Sequence, residues 1–394
     1  MPTHVGVGFS QHIDPITAAL EAATQAKTQA RHEADLAIVF STIHYSPSEF
    51  LPQIQQVLYG AKVIGCSTAG VITSQQIGMR GIAVLAIKSA DTKFATAYVD
   101  NVQSQDMRQV GMTLARQTVS DFGQLHRKAF IYFVDGLLSD NAAIVKGMQE
   151  VFGNVFPIIG AGSSDDFHFQ QTFQFCDEKI MTNAVTGFLI GGKLNIGLGT
   201  RHGWRPLGKP RTIDKSSGNI IQKIDGKAAA TIYDEYFGKE ATNLRSTKLG
   251  QMAILYPLGI FLEGEREYLL RNAINIQSDG SIVCQGEVPQ GSEVHIMLSN
   301  KEHCIQSAAD AALEAQRNLA GKRPQCVIIL ESLARLKLLG RAAKSEIETV
   351  KEIFGESTPL IGMYSYGEIC PSQTLKEKSI IHLQNESVII LAIG

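Results

Sequence analysis

Three stretches of the chain share one order of apolar and polar positions. Each has an amphipathic helical pattern, a short apolar strand, a second helix, and then an apolar-glycine segment rich in hydroxyls that is predicted to be a turn. The apolar strands cover Leu36–Phe40, Phe130–Val134 and Cys326–Leu330. The predicted turns cover Val63–Gly70, Ile158–Asp165 and Leu360–Glu368. This repetition predicts duplicated subdomains.

A helix is predicted ahead of each apolar strand. In the first, Asp14 is the expected N-cap and Pro15 takes the first helical position. Its predicted buried face holds Ile16, Ala19, Leu20 and Ala23. The other two helices are predicted over about residues 105–122 and 302–320.

A further apolar strand trails each repeat, over residues 81–87, 185–190 and 387–393. Strand-helix-strand units favour parallel neighbours, and closely spaced trailing strands favour antiparallel ones. The pattern therefore predicts an α/β fold with mixed sheets, built from three related helix-strand-helix-strand units in two modules. The predicted modules are residues 1–238 and 239–394.

The middle of the chain is rich in glycine and basic residues. An alternating strand is predicted to end at Thr200 and to lead into a loop. The loop contains Arg201, His202, Trp204 and Arg205, and Trp204 is the single tryptophan of the chain.

Composition narrows the classes of function. The formal net charge of −2 gives no electrostatic reason to expect nucleic acid or an anionic membrane as partner. No apolar run approaches the roughly 20 residues of a membrane span, and the first residues lack a signal-peptide pattern. The six cysteines are scattered without a Cys-x-x-Cys pair, so a reducing, cytoplasmic location is expected.

Several motifs resemble those of the FIST family of bacterial sensory proteins. The motifs that carry the resemblance to its N-terminal module are Gly65–Gly70, Gly203–Gly208 and Ile224–Ala228. Those that resemble its C-terminal module are Tyr256–Gly259, Val288–Gly291 and Gly362–Ile369. One position departs from the family pattern, because Ser332 stands where a cysteine is usual.

The resemblance implies a ligand-binding sensor in signal transduction and not an enzyme. Because the two modules use nearly all of these residues, we expect action on a separate protein, with homo-oligomer formation left open. One branch of the family binds haem and senses nitric oxide, and regulates a histidine kinase or a cyclic-di-GMP enzyme (a diguanylate cyclase or phosphodiesterase). These partners are expectations from the resemblance.

For that branch, His202 is the candidate axial ligand of haem b iron, because imidazole is a common axial donor. Arg201 and Arg205 beside Trp204 are candidates to pair with the propionates. The alternative left open is that His202 only ends the strand and Arg205 forms a structural ion pair. His382, between two apolar residues, is expected to be a satisfied edge or core residue.

A second hypothesis places a small polar metabolite, such as an amino acid, at the hydroxyl-rich turns. The candidate residues are Ser67, Thr68, Ser163, Ser164, Asp165, Tyr364, Ser365 and Glu368. Backbone N–H groups there would receive a carboxylate, and Asp165 or Glu368 an ammonium group. Alternatively, the hydroxyls satisfy the turns internally. A third hypothesis, a hydrolase using Cys66 or Ser67, is disfavoured because the Gly-x-Ser-x-Gly pattern is missing.

Overall fold

The computed structural model describes residues 3–31, 33–138, 141–238, 255–371 and 381–394. Three units of similar connectivity form an α/β body, and a β-rich insertion interrupts the third unit. The first unit contains β1 (His4–Ser10), α1 (Pro15–Ala30), β2 (Leu36–Thr42), α2 (Pro47–Val57), β3 (Lys62–Thr68), β4 (Val71–Thr73), β5 (Ile77–Gly78) and β6 (Ile82–Lys88).

The second unit follows the first directly and repeats its order of helices and strands. It contains β7 (Thr92–Val99), α3 (Met107–Phe122), β8 (Arg127–Val134), α4 (Ala142–Phe152), β9 (Ile158–Gly162), β10 (Gln174–Cys176), β11 (Lys179–Met181) and β12 (Val185–Gly192).

The third unit begins with β13 (Ile196–Arg201) and resumes only after the insertion. The insertion contains β14 (Arg205–Ser217), β15 (Ile220–Ile224), β16 (Lys227–Ala228), α5 (Thr231–Phe237), β17 (Leu258–Ile260), β18 (Leu269–Arg271), β19 (Ala273–Ile276), β20 (Ile282–Cys284) and β21 (Glu293–Leu298). The rest of the unit is α6 (Lys301–Asn318), β22 (Cys326–Ser332), α7 (Leu333–Leu339), α8 (Ala343–Phe354), β23 (Leu360–Ser365), β24 (Glu368–Pro371), β25 (Ile381–Gln384) and β26 (Val388–Ile393).

Each unit supplies four strands to a mixed sheet of its own, with a parallel pair of strands at the centre of that sheet. The pairs are β2 with β3, β8 with β9, and β22 with β23. The trailing strands β6, β12 and β26 each lie antiparallel between the first and second strands of their unit. The sequence prediction of mixed sheets in three related units is therefore confirmed.

The sheets are completed by an exchange of hairpins among the units. Hairpin β4–β5 of the first unit joins β23 of the third, β10–β11 of the second joins β3 of the first, and β24–β25 of the third joins β9 of the second. Each unit therefore gives one hairpin and receives one, and the three form a closed ring.

The inner faces of the three sheets share one hydrophobic core. Phe40 from the first unit meets Phe133 from the second edge to face, with ring centroids 5.4 Å apart and planes at 89°. Ile328 and Leu391 of the third unit belong to the same fully buried cluster. Helices cover the outer faces.

Helix α1 packs on its sheet through small residues. Asp14 caps it as predicted, with its carboxylate accepting the amide of Thr17 at 2.7 Å. The predicted burial of Ile16 and Leu20 is wrong, because these side chains are 42% and 38% exposed. The buried face consists of Ala18, Ala19, Ala22, Ala23, Ala26 and Ala30. Alanine fits there because α1 lies directly against glycines of β1.

Two other expectations are corrected by the structure. The apolar-glycine segments predicted as turns are mostly strands β3, β9 and β23, and the turns begin where these strands end. The loop predicted after Thr200 is short, because β14 begins at Arg205. The predicted module boundary after residue 238 adjoins residues outside the described ranges and stays a prediction. Among the helices described, none is long and apolar enough to cross a membrane.

Candidate functional site

A cleft lies between the third unit and the insertion. Its walls include Arg201 and His202 at the end of β13, Leu262 and the segment from Glu265 to Leu269 of the insertion, two residues of β25, and Ser387. They bound about 420 Å³ of space free of protein atoms, the open mouth included, of which the centre of a water-sized sphere can reach about 30 Å³. This enclosed part has room for about two water molecules.

His202 presents a hydrogen-bond donor to this cleft. The side chain is buried, and its Nδ1 accepts the backbone N–H of Trp204 at 2.8 Å. The proton of the neutral ring therefore lies on Nε2. Among the described residues, Nε2 has no partner of normal hydrogen-bond geometry: the nearest Glu267 carboxylate oxygen is 3.9 Å away, and the backbone of Tyr268 lies close enough to raise the pKa of the ring. Burial lowers the pKa of His202, partly opposed by Glu267, so the imidazole is neutral at pH 7.

Charged side chains of both signs surround His202. Arg201 forms an ion pair with Glu314 at 2.6 Å, and Arg266 lies 4.0 Å from the other oxygen of the same carboxylate. Glu265 and Glu267 line the opposite side of the cleft, on the insertion. The cleft therefore offers positive and negative groups to a bound molecule.

His382 lines the same cleft from β25. The expectation of a satisfied edge or core residue holds only in part: His382 lies on an edge strand of its sheet, but its buried Nε2 has no hydrogen-bond partner among the described residues. Burial, with a smaller contribution from Arg271, lowers the pKa of His382 to about 4. Two neutral imidazoles therefore face the cleft at pH 7.

The other two candidates from the basic loop lie elsewhere. Trp204 is buried in a small hydrophobic cluster with Leu270, Met297 and Cys304. Arg205 is exposed at the start of β14. The structure thus brings Arg201 and His202 together in the cleft, and does not place Trp204 or Arg205 in its walls.

Haem iron does not fit these residues as they stand. Coordination through Nε2 would require the proton to move to Nδ1, where it would face the Trp204 amide that Nδ1 now accepts. Haem binding at His202 therefore stays a prediction that the geometry does not favour.

The hydroxyl-rich segments meet where the three units converge, and we call this the hydroxyl junction (Ser67, Thr68, Ser163, Ser164 and Ser365). The carbonyl of Tyr364 in the third unit accepts Thr68 Oγ1 of the first at 2.8 Å and Ser164 Oγ of the second at 2.5 Å. Ser164 Oγ also receives the Ala69 amide at 2.9 Å. These bonds hold the three units together at one carbonyl.

The remaining serines of the junction are also bonded internally. Ser67 Oγ donates to the Ser164 carbonyl at 3.2 Å and accepts the Phe173 amide at 2.9 Å. Ser163 Oγ lies 2.8 Å from Thr172 Oγ1 and accepts Gln174 Nε2 at 2.7 Å. The geometry therefore favours the alternative in which these hydroxyls satisfy the fold itself.

Asp165 has a structural set of partners. Its carboxylate accepts the amides of Phe169, Gln170 and Gln171 and the hydroxyl of Tyr366, at 2.6 to 3.0 Å. These four donors lower the pKa of Asp165 against the opposing effect of burial. The carboxylate is therefore ionised at pH 7 and already fully hydrogen-bonded.

Glu368 is fully buried and links two serines. Its Oε1 accepts Ser365 Oγ at 2.5 Å, and its Oε2 accepts Ser387 Oγ at 2.8 Å and the Ser387 amide at 3.2 Å. Burial raises the pKa of Glu368 to about 7, although these donors and Arg335 act in the other direction. Ser387 lines the cleft, so Glu368 joins the cleft wall to the hydroxyl junction.

Behind the cleft, Arg335, Glu331 and Glu346 form a fully buried group that we call the Arg335 cluster. Arg335 Nη2 bonds to Glu346, Nε lies 3.3 Å from Glu331, and Nη1 donates to the His202 carbonyl at 2.6 Å. Burial and the Glu346 charge raise the pKa of Glu331. Burial, with smaller contributions from both glutamates, raises the pKa of Tyr364, and its hydroxyl has no hydrogen-bond partner among the described residues.

Neither proposed nucleophile is prepared for catalysis. Cys66 is fully buried, its Sγ lies 3.5 Å from Met363 Sδ, and burial raises its pKa well above the usual range. A thiol needs a lowered pKa and access to substrate to attack it. Ser67 is held by the two bonds described above.

The profile of the FIST N domain matches residues 35–227, and that of the FIST C domain matches residues 229–371.

The chain belongs to the FIST family. FIST domains are sensory ligand-binding domains of signal transduction. The resemblance seen in the sequence is thereby confirmed, while the haem-binding branch is not tested.

Relatives of this FIST protein occur in an archaeon and in bacteria. An uncharacterised protein of Methanocaldococcus jannaschii is 24% identical over 287 residues, which are 67% of this chain and 55% of the relative. This chain thus spans about half the length of that relative. An uncharacterised protein of Mycobacterium tuberculosis is 21% identical over 374 residues, covering 93% of this chain and 94% of the relative. The bacterial origin of the chain stays a prediction.

A crystal structure of cyanuric acid hydrolase from A. caulinodans covers 100% of this FIST chain and 99% of its own chain, at 7% identity and a TM-score of 0.41. A likeness this weak supports no conclusion about activity. The prediction that this chain is not an enzyme therefore remains a prediction.

Sequence reasoning missed Glu267 and the Arg335 cluster. Glu267 belongs to the charged run of residues 263–267, which was a usable signal because it precedes the apolar strand β18. Arg335 follows Glu331 by four residues, a spacing typical of a helical ion pair. Its full burial depends on α6 and α8, which no local pattern reveals.

Proposed function

We propose that this FIST protein is a sensor of a small polar molecule, and that the molecule binds in the cleft between the third unit and the insertion. The observation that carries the proposal is the buried Nε2–H of His202, which lines the cleft and finds no acceptor of normal hydrogen-bond geometry in the part of the chain that the structure describes, although the Tyr268 backbone and Glu267 lie nearby. Buried polar groups in proteins are almost always satisfied, so such a donor indicates an acceptor from a ligand or water.

The charges of the cleft describe the class of ligand. The Glu267 side chain is 35% exposed, and its carboxylate lies 3.9 Å from His202 Nε2. The positive side chains of Arg201 and Arg266 both lie near the Glu314 carboxylate. A small molecule with both a positive and a negative or carbonyl group matches this arrangement. The metabolite hypothesis is therefore kept, but its site moves from the hydroxyl junction to the cleft.

The finer functions inferred from the resemblance remain proposals. A histidine kinase or cyclic-di-GMP enzyme as partner rests on the family alone, as does nitric oxide sensing. The six cysteines are unpaired and buried, which is compatible with a reducing compartment such as the cytoplasm.

A thermal-shift screen of amino acids, small carboxylic acids, amines and haemin tests the proposal. A compound at a hundredfold its Kd raises the free energy of unfolding by about 2.7 kcal/mol. We expect at least one zwitterionic compound to raise the melting temperature of the wild type, and Glu267→Gln to abolish the shift. Glu263→Gln should keep it, because Glu263 lies on the same segment but outside the cleft walls.

Two positive results would place the ligand outside this assignment. One is a shift that survives in Glu267→Gln as fully as in Glu263→Gln, which would place the ligand elsewhere. The other is an intense Soret band with haemin that His202→Ala removes, which would restore the haem hypothesis. A screen without any shift would also count against a small-molecule sensor.

A further inference from the structure

We infer that Glu368 couples the cleft to the hydroxyl junction, so that a change at the cleft wall alters how the three units are held together. The inference rests on the proposed function for what occupies the cleft. The hydrogen bonds that form the connection are present in the protein alone.

The connection begins at Ser387 in the cleft wall. Both its hydroxyl and its amide donate to the same oxygen of Glu368, at 2.8 and 3.2 Å. The Ser387 carbonyl accepts the Ser332 amide at 2.9 Å, which fixes the backbone beside β22. Movement of Ser387 therefore changes the bonding of the Glu368 carboxylate directly.

The connection continues through Ser365 to the junction. Ser365 Oγ lies 2.5 Å from Glu368 Oε1 and 3.1 Å from the Glu331 carbonyl. A hydroxyl has one hydrogen to donate, so these two acceptors compete for it. The neighbouring Tyr364 carbonyl is the one that binds Thr68 and Ser164 of the other two units.

This competition gives the coupling two discrete states. When Glu368 is ionised and held by Ser387, it is the stronger acceptor, because charge-assisted bonds are shorter and stronger than neutral ones. Loss of its bonds to Ser387 raises the pKa of Glu368 further and so favours the protonated carboxyl, and once Glu368 is protonated the Glu331 carbonyl becomes the better acceptor for Ser365. Coupling between sites requires such a two-state element.

Protonation of Glu368 also changes which acceptor the Ser365 hydroxyl binds. The titratable groups that face it are Arg335 from α7, Glu386 from the turn before β26, and Cys370 from β24. Burial raises the pKa of Glu368 to about 7 from a usual value of 4.5. Stability from the neutral buried carboxyl is therefore full below the unfolded pKa and is lost as pH rises through about 7.

Hydrogen exchange of the whole protein without ligand tests the coupling. The reporters are the Ala69 amide, bonded to Ser164 Oγ at 2.9 Å, and the Tyr364 amide, shared between Thr68 Oγ1 and the Gly70 carbonyl, each at 3.1 Å. We expect Ser387→Ala to speed their exchange roughly threefold to tenfold, the effect of losing one hydrogen bond. In a Glu368→Gln background, the same substitution should have no further effect.

Tyr268→Phe is the matched control, because it removes another hydroxyl from a residue of the cleft wall, and that hydroxyl donates to Glu293 and not to Glu368. It should leave both reporters unchanged. The coupling is refuted if Ser387→Ala affects only amides next to residue 387, or if its effect is as large in the Glu368→Gln background.

A pH titration of the wild type provides a second readout. After correction for intrinsic exchange, protection of the two reporters should change with an inflection near pH 7 that Ser387→Ala shifts. A flat profile across neutrality would also overturn the coupling. Because no ligand is used, these experiments can fail while the thermal-shift screen succeeds, and the reverse.

Discussion

Arg335 shows at the scale of one residue how a buried charge depends on its partner. It is fully buried, bonds to Glu346 and lies 3.3 Å from Glu331. Removing one member of a buried ion pair leaves an uncompensated charge, which costs about 3–5 kcal/mol. We therefore expect Glu346→Ala to lower the free energy of unfolding by that amount, measured by urea denaturation.

Glu348, two residues along on α8, provides the control. It forms an exposed pair with Lys344 at 3.4 Å, and such pairs contribute little. Glu348→Ala should unfold close to the wild-type midpoint. If Glu346→Ala unfolded at the same urea midpoint as Glu348→Ala, the Glu331 carboxylate alone would be sufficient to compensate the charge of Arg335.

At the scale of elements, the contact of α1 with β1 depends on glycine. A Cβ on Gly8 would lie 1.8 Å from the Ala22 carbonyl oxygen, a contact that backbone atoms cannot relieve without moving apart. We expect Gly8→Ala to destabilise the protein by at least about 1–3 kcal/mol, the usual cost of overpacking, measured by urea denaturation. Ile16→Ala, on the exposed side of the same helix, should cost less than about 1 kcal/mol. Equal losses in the two variants would contradict the observed helix orientation.

The same contact shows what the sequence predicts at this scale. Strands β2, β8 and β22 were predicted because a short, continuous apolar run between two helical patterns is typical of a buried strand. The orientation of α1 was predicted wrongly, because Ile16 and Leu20 are more hydrophobic than the alanines that are buried. Only small side chains such as alanine fit where the backbone of α1 lies against Gly6 and Gly8, and this close contact exists only in the folded protein.

At the scale of the whole molecule, the sequence predicted the three units but not how they are joined. The hairpins β4–β5, β10–β11 and β24–β25 are short, and each pairs with a strand of another unit, so no local pattern identifies the partner. The candidate site has the same limitation. Arg201 and His202 were predicted from one loop, whereas Glu267, His382 and Ser387 reach the cleft only through folding of the insertion and of β25.

The exchange of hairpins predicts that the three units unfold together. Ile72 of β4 is fully buried and lies opposite Gly362 of β23, so it belongs to the first unit but packs in the core of the third. Ile72→Ala should lower the free energy of unfolding by about 2–5 kcal/mol, the usual effect of truncating a core side chain. Because the ring is closed, amide protection in β2, β8 and β22 should fall by the same factor, as in a single cooperative transition. Tyr59→Ala, in the first unit but 84% exposed, should leave all three strands unchanged. Loss of protection confined to β22 would instead show that the third unit unfolds independently of the other two.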